Sequence, residues 1–239
     1  MKRLLSKRFF AGVAVCATVA VLAGCASKPA PPPAPPPVVV IPPRPTPPLG
    51  APASMVIPPM APDGTRITIN RGVTPAQALW NFRSAYNVAA LNCQGPQHAP
   101  ILTGYTQFLK VHAKSLTAAN KALDKQFKDS HGAKTYIRYR ETYQTQVYNY
   151  FALPPVIPAL CNAALAVSLE LATVPAGQLE GYAPQGLSHV DTPYREFFNS
   201  FDQYRADVAA WDARYGAPPV MVTPATMPPQ AMAAPGTTN

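Results

Sequence analysis

This chain of 239 residues lacks the short motifs that announce common active sites. It has no glycine-rich phosphate loop, no His-Glu-x-x-His, no Cys-x-x-Cys and no Gly-x-Ser-x-Gly. With them go the usual signs of nucleotide binding, zinc proteolysis, thiol redox chemistry and the hydrolase nucleophile. Acids are scarce, 11 against 20 lysines and arginines. Acid-base catalysis needs titratable groups that converge, and a rotation of about 100° per residue sends Glu141 and Glu170 to the outward faces of their helices. The four histidines, His98, His112, His131 and His189, stand singly. His112 falls on an apolar stripe, where a satisfied core histidine is a far commoner role than a metal ligand. These absences argue against an enzyme, and they imply no cofactor and no metal. The apolar run from Phe9 to Ala23 covers about 15 residues, short of the roughly 20 that cross a bilayer core.

What the N-terminus does contain is specific. Lys2, Arg3, Lys7 and Arg8 precede that apolar run, which ends in Leu22-Ala23-Gly24-Cys25. The segment closely resembles the signal and lipobox of bacterial lipoproteins. The resemblance implies that residues 1–24 are a signal peptide, and that Cys25 becomes the first residue of the mature chain, acylated on its sulfur and on its new amino group. Buried lipid tails contribute about 0.8 kcal/mol per methylene, so several chains anchor a protein durably to a membrane. Ala26 stands where an Asp would resemble inner-membrane retention, which favours the outer membrane. Loss of four cations and no acid takes the formal charge from +9 to +5. Cys16 leaves with the signal and Cys25 carries lipid, so Cys93 and Cys161 remain as a pair in an oxidising compartment and read as a disulfide.

Sixteen of the 31 prolines lie between Pro29 and Pro62. Proline-dense chain lacks backbone donors and settles into polyproline II, rising about 3.1 Å per residue, so residues 25–62 read as an anchor and semi-rigid linker reaching on the order of 100 Å. The tail 217–239 reads as disordered. Between them, residues 63–216 form one domain, large enough to bury most of its unfolded surface.

That domain reads as all-α, an antiparallel bundle of about five helices. Thr65 to Asn70 alternates and could make a short strand or an extended lead-in. Thr74-Pro75-Ala76-Gln77 has the form of a capping box, followed by Leu79, Phe82, Tyr86, Ala89 and Cys93 at helical spacing. A second helix runs from Pro100, with Ile101, Tyr105, Phe108, His112, Leu116, Ala119, Leu123 and Phe127 on one stripe, a rod of about 45 Å. A third carries Tyr136 to Tyr150, and a fourth starts near Pro158. A loose connection, Pro175 to Val190, leads to the last helix, where Tyr194, Phe197, Phe201, Tyr204, Val208, Trp211 and Tyr215 form a heptad seam. If successive helices alternate direction, the end of the first and the start of the fourth meet, which brings Cys93 to Cys161.

Two surfaces exceed the ordinary. Lys110, Lys114, Lys121, Lys125 and Lys128 fall within about 60° of arc opposite the apolar stripe of the second helix, with Lys134, Arg138 and Arg140 beyond. A solvated helix face is the commoner role for such lysines; the functional one is a face for an anionic lipid or polysaccharide, or an acidic protein surface. Nucleic acid is the wrong partner for that compartment. Tyrosines crowd the third helix, with Tyr148 on the outward side and the others expected to keep rings inward and hydroxyls at the margin. The sequence therefore reads as an envelope lipoprotein that binds and positions a protein partner, with binding of an anionic envelope polymer or lipid as the alternative.

Overall fold

A computed structural model describes residues 40–216; the signal segment, Cys25, the first part of the linker and the tail from residue 217 lie outside the described residues. The capping box forms as its residues require. Thr74 accepts from the Gln77 amide while the Gln77 side chain accepts from Thr74 N–H, and Pro75 opens α1, Pro75–Asn92. Five more helices follow: α2 Ala99–Val111, α3 Ala113–His131, α4 Tyr136–Phe151, α5 Ile157–Leu171 and α6 Leu179–Tyr215. The only β feature among the described residues is one antiparallel bridge, Met60 to Arg66, so Thr65 to Asn70 is the extended lead-in and not a strand.

The long second helix is corrected to two. His112, with φ −104° and ψ 15°, stands between α2 and α3. The break lets α2 lie on α5 while α3 lies on α4, and both still touch α1. No straight rod could follow both neighbours.

The loose connection before the last helix is corrected too. α6 begins at Leu179 and runs 37 residues, through Pro184 and Pro193. Each proline forfeits a backbone bond, yet Leu179, Ala183, Leu187 and Val190 are buried along this stretch, and their packing outweighs local propensity. Gly186 allows α6 to approach α1 closely, since a Cβ there would stand 2.8 Å from the Phe82 ring.

Cys93 ends α1 and Cys161 lies in α5, and the two are joined as the alternating topology requires, Cα to Cα 5.5 Å. Pro154–Leu171 is long and apolar enough to cross a membrane by length and composition alone. It serves here as a core helix: Leu160, Ala164 and Val167 are fully buried against its neighbours.

The largest departure concerns the linker. Residues 41–62 read in the sequence as part of the semi-rigid linker 25–62, but they lie as a strap along α6. Tyr194 sits beside Phe151, the last residue of α4, so α6 continues past the point where α4 ends. The strap covers that continuation. Ala51, Ile57 and Ala61 are buried, Trp211 Nε1–H donates to Pro42 O at 2.8 Å, and Arg205 donates to Met55 O at 2.7 Å. Arg66, itself buried, locks the strap's inner end by donating to Pro58 O, Asn199 and Asp202.

Candidate functional site

The break at His112 divides the lysines of the basic stripe between two helices. Lys114, Lys121, Lys125 and Lys128 are exposed on α3; Lys110, exposed as well, belongs to α2 on the other side of the break. Lys125 is engaged by Asp129. Arg140 turns back to Asp124 at 2.6 Å and bonds Asn120, so it leaves the basic face. Among the described residues no carboxylate lies within ion-pair distance of Lys110, Lys114, Lys121 or Lys128. Their charge is therefore available to a partner.

A second feature emerges only in three dimensions. The lead-in after the strap brings Asn70 against α6, where Asp191 is buried. Asp191 Oδ1 accepts from Asn70 Nδ2 at 2.6 Å and from Tyr150 O–H at 2.7 Å, while Arg195 Nε lies 3.1 Å from Oδ2. The chain continues inward, since Asn81 donates to Asn70 Oδ1 and accepts from Tyr143 O–H. Burial raises the Tyr143 hydroxyl to about 12. Burial and then the adjacent Asp191 carboxylate push Tyr150 well above the usual phenol range, so its proton stays in place. Two cavities of about 340 and 350 Å³ adjoin this network and share Asn70, Asp191 and Arg195. The carboxylate that reaches them is already bonded by three donors. Those three donors occupy most of its acceptor sites.

The tyrosines correct the expectation of rings in and hydroxyls out. Tyr148 is half-buried, not outward: its oxygen accepts from Arg83 at 2.8 Å and donates to Asn87 at 3.2 Å. Tyr86 pairs with Ser168 and Tyr194 with the Phe151 carbonyl, both inside the core. These partners on other helices replace water. His112 is 2% exposed as a core histidine, but Nδ1 has no partner among the described residues, which corrects the expectation of a satisfied ring. Burial lowers its pKa.

Glu170 is corrected as well. It faces α6, where Oε2 accepts from Tyr182 O–H at 2.7 Å and Oε1 lies 3.2 Å from His189 Nδ1. Glu141 remains exposed. Glu170, Tyr182 and His189 form a short polar chain, but among the described residues His189 makes no further hydrogen bond to a hydroxyl or thiol that would serve as nucleophile. Nor is any group of three His, Cys, Asp or Glu placed to hold a metal ion among the described residues.

By its fold the protein is a disulfide-clasped all-α bundle bound by an N-terminal strap. No protein-family model matches the sequence, and neither a characterised protein nor a solved structure does.

Proposed function

We propose that the protein is a lipoprotein of the bacterial cell envelope, anchored through lipid on Cys25 and more consistent with the outer than the inner membrane, that binds and positions a protein partner without catalysis. The observation that carries this reading is the strap. The chain that follows the anchor is bonded along α6, so tension on the N-terminal segment is delivered to the longest helix of a disulfide-clasped body, as a positioning module needs. The strap also shortens the tether. Only about 15 residues separate Cys25 from Ile41, a reach of about 47 Å in polyproline II.

Cys25→Ser removes the only acceptor for the lipid. The expected outcome in cell fractionation is a chain that is unprocessed or released from the membrane. Retention of a correctly cleaved, unlipidated chain in the membrane fraction would overturn the reading.

A second reading is favoured by the unpaired lysines of α3: a binding face for an anionic envelope polymer or lipid. The two differ in salt dependence. Attraction between exposed charges is screened over about 8–10 Å at physiological ionic strength, whereas a packed protein interface is far less sensitive.

A further inference from the structure

The C-terminal part of α6 has the chemistry of a receptor for extended, proline-rich chain. Such chain makes no internal hydrogen bonds and offers carbonyls and ring faces, which aromatic side chains read. Trp211 donates its indole N–H to the Pro42 carbonyl at 2.8 Å. Two residues on, Arg44 lies as a fork on Asp212, Nε to Oδ1 at 2.9 Å and Nη2 to Oδ2 at 2.7 Å. Pro45, Pro47 and Pro48 are half-buried. Pro47, with φ −59° and ψ 145°, has polyproline II geometry.

The strap is gripped unequally along its length. Its inner part, 51–62, buries Ala51, Ile57 and Ala61, and Arg66 just beyond it is buried too. Its outer arm, 41–48, contains no buried residue, and the Arg44 and Asp212 side chains are 49% and 46% exposed. Exposed pairs of this kind hold weakly. Between arm and inner strap lie Leu49 and Gly50, both left-handed at φ 52° and 68°. A leucine is strained there, and this one is 64% exposed, so little packing compensates the strain.

We propose that the outer arm is exchangeable, and that the end of α6 binds in trans the same arm, residues 41–48, of a second copy of this chain. An identical arm presents the same Pro42 carbonyl and the same Arg44, so exchange preserves the contacts. Straightening Leu49-Gly50 releases the left-handed backbone, and reciprocal exchange closes with twofold symmetry. This inference goes beyond the proposed function and does not depend on the lipid.

The test uses the full chain with Cys25→Ser and the native disulfide intact. Arg44→Lys keeps the cation and adds an amine that a carbodiimide couples to Asp212. Light and 15N-labelled copies are mixed equally at low and high concentration, coupled, digested and analysed by mass spectrometry. The expected result is that links between the new amine at position 44 and Asp212 join a light to a heavy peptide, their share rising with concentration toward the half that complete exchange gives. Leu49→Pro, which excludes positive φ, should raise that share at fixed concentration; Leu49→Gly should lower it. Links confined to one isotope at every concentration, in Leu49→Pro as in the parent, would overturn the proposal. So would loss of all such links in Leu49→Pro. A peptide of unrelated proline-rich sequence that displaces the arm as well as a 41–48 peptide does would also overturn it, and would define a general proline receptor.

Discussion

At the scale of single residues, the interior is organised by hydroxyls and one carboxylate that find partners on other helices. Tyr150 donates to buried Asp191 while its ring stacks on Tyr194 at 4.8 Å. A hydrogen bond to a charged group contributes about 1.5–3 kcal/mol, so Tyr150→Phe should cost about 2 kcal/mol with the fold retained. Tyr139→Phe is the control, since that side chain is 41% exposed and makes no hydrogen bond among the described residues; chemical denaturation compares the two. Equal effects would show that the Asp191 network carries no special share. His112 makes a prediction in pH. Burial depresses its pKa below the ordinary 6.5, so the folded state disfavours the proton that the unfolded state accepts. Its effect is therefore absent above about pH 6.5, and stability falls as pH drops from there through the folded value. His112→Phe should flatten that slope in melting temperature between pH 7 and 5. An unchanged slope would assign it to another group.

At the scale of elements, two helices depart from local rules for one reason, the need to meet more than one neighbour. The turn at His112 divides a continuous apolar stripe so that α2 meets α5 and α3 meets α4. α6 does the reverse, holding a helix together across two prolines because its buried face is continuous. The bridge between Cys93 and Cys161 ties the end of α1 to α5 across a separation of 68 residues. On the chain-entropy model a loop of that length is worth about 4 kcal/mol. Cys93→Ala with Cys161→Ala should lower unfolding free energy by about that amount, leaving helical circular dichroism nearly unchanged at room temperature. A loss under about 1 kcal/mol would mean that native strain or residual unfolded structure cancels the constraint.

At the scale of the molecule, a strap ties the N-terminal side to α6 while a lysine face, paired only at Lys125 among the described residues, lies on α3. Changing Lys114, Lys121 and Lys125 together to Gln alters charge on side chains that carry no packing. Thermal stability should move little, since surface substitutions of this kind stay within about 0.5 kcal/mol each. Binding to vesicles containing anionic lipid, measured by co-sedimentation at low and high salt, should weaken in the triple variant and lose its salt dependence. Identical binding before and after would reduce the basic stripe to a solvated helix face.

Features with local causes were legible in the chain alone. Thr74 to Gln77 start a helix because their side chains satisfy its own first amides, and the 3.6-residue spacing of Leu79, Phe82, Tyr86 and Ala89 marks part of what α1 buries, the rest, such as Asn81, Ser84 and Val88, being covered by neighbours on its other sides. The meeting of Cys93 with Cys161 also followed, because alternation of short-looped helices constrains where helix ends lie. Features that depend on partners distant in sequence came from packing instead. Nothing local distinguishes Pro42 or Ile57 from the rest of the linker; Pro42 is placed by the indole of Trp211 far along the chain, and Ile57 by burial against the helices. Asp191 and Tyr150 are 41 residues apart, and Tyr148 reads as outward until Arg83 and Asn87 meet it from α1. A buried polar group must find its hydrogen bond somewhere, and which residue supplies it is settled by how the helices pack.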